Sequence, residues 1–228
     1  NLRRSWLFIG GADKNKLNLA TSSNADVCII DLEDFCAPIN RKYARKLMPE
    51  IITKWKDNNI LSAVRINPLE TKDGKLDLEK AVSAKADAIL LPKTRYRNQI
   101  IALDKNIRMY EKKYKISNNS IEIIPNIEDA IGYKNIDKIL IKNKTLTSAL
   151  IASEDMAYSL GITNTKKNLL LDHIRYEFHI SCCSKNINTI DMPYTWNDKE
   201  GCKKQTLIAK EIGVLSKSTV NIEHCNTI

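Results

Sequence analysis

The chain has 228 residues, 43% hydrophobic and 28% charged, enough to bury one full α/β core. No apolar run approaches the ~20 residues of a membrane span, and no secretory leader pattern opens the chain, so a cytoplasmic protein without a membrane partner is expected. The formal net charge of +9 is spread through lysine-rich helical stretches without aromatic–basic interleaving, which argues against nucleic acid as a partner.

Apolar, β-rich runs alternate with stretches of helical period. The first strand is expected over 5–10, followed by a helix at 13–23 that Asp13 can cap. The second strand, 27–31, leads to a helix over 39–58. A third strand at 62–66 is broken by Asn67-Pro68, because a residue before proline is driven away from helix. A helix near 75–85, a strand at 88–91, a helix at 97–115 and a strand at 121–125 come next. Helices at 129–142, 166–185 and 198–213 then alternate with strands at 148–152, 189–192 and 219–222. Eight strands with seven intervening helices predict an α/β fold of the TIM (β/α)8 barrel type, a single domain over 1–228, rather than an open doubly wound sheet. The runs VCIID, DAILLP and IEIIP are apolar on both faces, as parallel strands under helices should be. The chain stops directly after the eighth strand candidate, so its closing C-terminal helix is expected to be absent, disordered or supplied by a neighbour.

The six cysteines form no C-x-x-C pair, and the adjacent Cys182 and Cys183 are poorly spaced for zinc, so reduced thiols are expected. A basic patch runs from Lys93 through Arg95, Arg97, Lys105, Arg108, Lys112, Lys113 and Lys115. It reads either as a solvated helix or as an attractor for a polyanion, such as a coenzyme A phosphate or an acidic carrier protein.

Parallel barrels place their chemistry where strand carboxyl ends meet. The second strand ends in Asp31-Leu32-Glu33-Asp34, and alternation aims Asp31 and Glu33 to one side and Leu32 and Asp34 to the other until the strand turns. These acids need cations or donors; they read as a capped helix start or as a shell that orients Arg65 or metal-bound water. Arg65 ends the third strand and cannot shed its charge, so it pairs with Glu33 or Asp34, grips a substrate carboxylate or enolate, or does both. Glu128 and Asp155 follow the fifth and sixth strands, where two carboxylates suit Mg²⁺ with water and substrate completing the octahedron. Lys93 after the fourth strand is a cation among acids, with a Schiff-base lysine as the alternative. His224 is placed to face the pocket. No P-loop, G-x-G-x-x-G or G-x-S-x-G motif is present.

Read in order, these segments resemble the citrate lyase beta-subunit family of the HpcH/HpaI aldolase superfamily. The resemblance rests on Arg4-Ser5-Trp6-Leu7-Phe8, Asp31-Leu32-Glu33-Asp34, Val64-Arg65-Ile66-Asn67-Pro68, Leu91-Pro92-Lys93, Ile127-Glu128 and Glu154-Asp155. Arg175 and Tyr194-Thr195 with Asp198 and Gly201 complete it. It implies a Mg²⁺-dependent lyase that cleaves citryl, malyl or citramalyl thioesters of coenzyme A or an acyl carrier protein. Glu128 and Asp155 would hold the metal, and Arg65, Glu33 and Asp34 would serve catalysis. Arg4, Arg65 and Asn67 would bind substrate. The resemblance also implies a homotrimer and an association with other citrate lyase subunits. The sequence departs from the family at Ile9-Gly10-Gly11, where proline usually precedes glycine, and at Glu223-His224-Cys225. A pyruvate-type aldolase and a non-catalytic thioester- or carrier-binding subunit are the alternative readings.

Overall fold

The computed structural model describes residues 2–166 and 168–228. Eight parallel strands close into a barrel in sequential order: β1 (Ser5–Gly10), β2 (Val27–Asp31), β3 (Leu61–Arg65), β4 (Ala88–Leu91), β5 (Glu122–Ile127), β6 (Ser148–Ile151), β7 (Asn188–Tyr194) and β8 (Ser216–Thr219). The helices around it are α1 (Lys14–Leu19), α2 (Arg41–Asp57), α3 (Lys72–Ser83), α4 (Arg97–Lys113), α5 (Ala130–Lys134), α6 (Ile136–Ile139), α7 (Ser153–Ser159), α8 (Leu169–Ser184) and α9 (Lys199–Glu211).

Strand alternation builds two cores. Trp6, Phe8, Val27, Ile29, Ala63, Leu90, Ile124 and Leu150 fill the barrel interior. Their neighbours Leu7, Cys28, Ile30, Val64, Ile89, Ile123 and Ala149 face outward and pack beneath the helices. Helix α2 buries Ala44, Leu47, Met48, Ile51, Ile52 and Trp55, the three-and-four spacing of one helical face. Full burial of Trp55, whose indole N–H donates to the Leu17 carbonyl at 3.0 Å, contributes roughly 3 kcal/mol of transfer free energy. Helix starts are fixed by side-chain caps: Thr71 accepts from Gly74 N, Asp129 from Gly132 N and Asp198 from Gly201 N.

Three expectations need correction. The eighth strand lies at Ser216–Thr219, not at 219–222, and a short 3₁₀ turn over Ile222–His224 follows it. Its sequence SKST looks polar, but Lys217 is buried against Asp191, so tertiary pairing overrides local pattern. Helix α7, only seven residues long, was absent from the expected elements. The predicted helix over 129–142 is split into α5 and α6 at Asn135.

Candidate active site at the carboxyl rim

The chain turns as soon as β2 ends, because Asp31 accepts from the backbone of Glu33 at 3.0 Å and of Phe35 at 3.1 Å. Alternation therefore ends with the strand, and Asp31, Glu33 and Asp34 all reach Arg65. Arg65 points inward from β3. Its Nε donates to Asp31 Oδ1 at 2.8 Å and its Nη2 to Asp31 Oδ2. Its Nη1 lies 3.3 Å from Glu33 and 3.1 Å from Asp34. The guanidinium carbon is 5.1 Å from the Phe8 ring centre and 5.7 Å from that of Phe35, within cation–π range. Burial works against its charge, but Asp31 and then Glu33 and Glu128 outweigh it and raise its pKa. Gly10 lets the Phe35 segment come this close, since a Cβ there would stand 2.5 Å from the Phe35 carbonyl oxygen.

Lys93, just beyond β4, adopts a left-handed backbone with φ 47°. That turn aims its N–H at Glu128 Oε1 (2.5 Å), while its ammonium reaches Glu33 at 2.7 Å. Burial opposes the Lys93 charge, yet the bond to Glu33 raises its pKa. A protonated ammonium is no Schiff-base nucleophile, so the cation reading holds.

Inward positions on β5 continue from Ile124 through Asn126 to Glu128. Glu128 is almost wholly buried, and its Oε2 has no hydrogen-bond partner among the described residues. Burial foremost, opposed by Arg65 but helped by repulsion from Glu33 and Asp155, pushes its pKa up to about 8. Burial, then repulsion from Asp34, raises Asp155, which sits in the first turn of α7. Glu33 is also raised, chiefly by burial and against the pull of Arg65.

Glu128 and Asp155 line one cavity of about 450 Å³ together with Asp34, Arg65, Asn126 and Glu154, over apolar walls of Phe8, Phe35, Leu150, Pro193 and Val220. A cavity of about 490 Å³ at the opposite rim is lined by Arg3, Trp6, His179, Cys183 and Leu215 among others, and no carboxylate lines it. Chemistry therefore favours the carboxyl rim over the slightly larger space. No group of three His, Cys, Asp or Glu side chains among the described residues can hold a metal by itself. Two hard carboxylates, one with an orphaned oxygen and both reluctant to ionise unaided, fit a divalent cation that takes its other ligands from water and substrate.

Several expected site residues lie elsewhere. Arg4 precedes β1, so it sits at the amino rim and binds Asp26 through its backbone N–H at 2.7 Å and Nη2 at 3.1 Å; it does not reach the pocket. Asn67 is buried, donating to the Leu32 carbonyl and Asp77 at 2.7 Å each, and ties loops together rather than lining the cavity. His224 is also buried away from the lining, against the Tyr194 ring at 5.8 Å. Much of the basic patch is consumed internally: Lys93 by Glu33, Arg95 by Asp129, Arg108 by Asp104 and Glu111, and Lys113 by Glu79. Sequence reading missed Phe8, Phe35 and Asn126. Counting back by two from Glu128 along β5 would have found Asn126.

The model of the HpcH/HpaI aldolase/citrate lyase family matches residues 4–222. The chain is 28% identical over 221 residues to citrate lyase subunit beta of Haemophilus influenzae, covering 96% of this chain and 76% of that protein. It is 23% identical over 230 residues to the mitochondrial citramalyl-CoA lyase of Mus musculus, covering 96% and 68%. The fold matches that of CitE from Mycobacterium tuberculosis, solved in complex with magnesium and acetoacetate, with a TM-score of 0.82 at 21% identity, covering 99% of this chain and 88% of that one. With its barrel, its strand-end acids and a family match along nearly its full length, the chain belongs to the HpcH/HpaI aldolase/citrate lyase family.

Proposed function

We propose that this chain is a Mg²⁺-dependent carbon–carbon lyase that cleaves a 3-hydroxyacyl thioester of citryl, malyl or citramalyl type into an acetyl thioester and a 2-oxo acid. The observation that carries this reading is the placement of Glu128 and Asp155, from neighbouring strand ends, on one cavity beside the fixed cation Arg65. The names of the relatives, a citrate lyase subunit and a citramalyl-CoA lyase, support the same substrate class. The thioester is carried on coenzyme A or on an acyl carrier protein.

Glu128 and Asp155 are the residues that would hold the metal. When bound, Mg²⁺ supplies a Lewis acid for the oxygens of the 2-oxo acid half and positive charge that lets both carboxylates ionise. Lys93 N–H fixes Glu128 Oε1 and leaves Oε2 free to serve as a ligand. Arg65 stabilises the negative charge that develops when the carbon–carbon bond pair moves onto the thioester carbonyl, and it needs no reorganisation to do so. Asp31, Glu33 and Asp34 hold the guanidinium in place, so Glu33 and Asp34 are positioning residues on this reading. Phe8, Leu150, Pro193 and Val220 keep water from the reacting carbons.

The test is to incubate the protein with citryl, malyl and citramalyl thioesters, each on coenzyme A and on an acyl carrier protein, with Mg²⁺, and to assay the 2-oxo acid. Release from at least one, abolished by EDTA, is expected. Silence with all three would refute the reading. Glu128→Ala and Asp155→Ala should each lose Mg²⁺-supported turnover and ligand binding, and Arg65→Lys should lower kcat by about 10²–10³-fold, as loss of a preorganised electrostatic group does.

A further inference from the structure

Asn126 stands on the inward face of β5, one alternation below Glu128 and paired in register with Leu150. It is fully buried yet lines the cavity, and neither Nδ2 nor Oδ1 has a hydrogen-bond partner among the described residues. Keeping a carboxamide dry and unpaired is costly, and the floor around it, formed by Phe8, Leu150, Ala152 and Val220, is apolar. Nearby Arg65 is already committed, with Nε and Nη2 bonded to Asp31 and Nη1 turned to Glu33 and Asp34. Asn126 thus offers the pocket an uncommitted donor and an uncommitted acceptor on one rigid planar group.

We propose that Asn126 binds the hydroxy-acid half of the substrate, with Oδ1 accepting from the hydroxyl and Nδ2 donating to the adjacent carboxylate. The assignment rests on the lyase reading and deepens it. A 2-hydroxy carboxylate presents one donor beside one acceptor, the complement of a carboxamide. The 2-oxo acid product has a carbonyl where the hydroxyl stood, so Oδ1 loses its partner and Nδ2 keeps its own. Asn126 therefore favours intact substrate over product, and selects 2-hydroxy acids over analogues without the hydroxyl.

Calorimetric titration of the whole chain with malate and with oxaloacetate, in saturating Mg²⁺, tests this, because the two acids differ only in hydroxyl and carbonyl. Asn126→Leu, close in size, should weaken malate binding by about tenfold or more and oxaloacetate binding by less. Its thermal midpoint should equal or exceed that of the wild type, because a buried unpaired amide has been removed. Asn126→Asp, which keeps the acceptor but sets a negative charge against the carboxylate, should weaken both acids. Unchanged malate affinity in Asn126→Leu, or a lowered midpoint showing that the amide is needed by the fold, would overturn the assignment and leave the lyase reading standing. Failure of the wild type to bind either acid with Mg²⁺ would overturn the assignment, and the lyase reading falls only if 2-oxo acid release from the thioesters fails as well.

Discussion

Two buried clusters in this barrel are organised around arginine, and they are completed in opposite ways. Between β7, β8, α8 and α9, Arg175 grips Asp191 with two bonds of 2.6 Å and reaches Gln205 at 3.0 Å. Lys217 bonds the same carboxylate at 2.8 Å and the Met192 carbonyl at 2.7 Å. Burial pushes the Asp191 pKa up, but Lys217 and Arg175 outweigh it and hold it below the ordinary range. No buried side-chain atom of these three lacks a partner among the described residues. At the carboxyl rim the balance is reversed. Carboxylates outnumber cations, and Glu128 Oε2 and both amide atoms of Asn126 are left without a partner among the described residues. A buried network that closes on itself is scaffold, whereas one left open with surplus acid is built for something that arrives from outside.

The sharpest way to break this contrast is Asp191→Ala. It strands two buried cations and should cost about 3–5 kcal/mol in urea unfolding, the usual penalty for removing one partner of a buried pair. A loss below 1 kcal/mol would show that the closed cluster is not scaffold. On the open side the expected signature is a pH slope. Glu128 has a folded pKa of about 8 against an ordinary 4.5, so the folded state holds its proton more tightly. Its contribution is fully present below the ordinary value and declines as pH rises toward 8. Thermal midpoints of metal-free protein should fall over that window, Mg²⁺ should restore them, and Glu128→Gln should make the slope shallower. A flat wild-type profile in EDTA would mean that Glu128 is satisfied without metal. The smallest effect belongs to Arg4→Ala. Its half-exposed pair with Asp26 should be worth about 1 kcal/mol or less, with 2-oxo acid release unchanged. Lost turnover with the fold intact would return Arg4 to the site.

Sequence alone carried the barrel far, because period-two apolar runs and their breakers are local signals. VCIID and DAILLP could be little else than strands buried on both faces. The eighth strand was misplaced because SKST owes its burial to Asp191, which is 26 residues away from Lys217 in the chain. The acids that follow strands were legible as a group since strand direction sends them all to one rim. That same rule, applied to Arg4, would have put it at the other rim, before β1 rather than after it. The pairing of Arg65 with Glu33 or Asp34 was legible; that Arg65 meets both of them, and Asp31 as well, was not. It depends on how tightly the turn after Asp31 brings Glu33 and Asp34 around, and alternation does not extend into a turn.

Lys93 is joined to two acids through different chemistry, Glu128 through the main chain and Glu33 through the ammonium. Substitution can therefore separate the two links. Glycine or asparagine, both at ease in that left-handed bend, would preserve the grip on Glu128 while releasing Glu33. A proline would remove the donor altogether. The bend, and not the charge, is what holds Glu128 Oε1 in place.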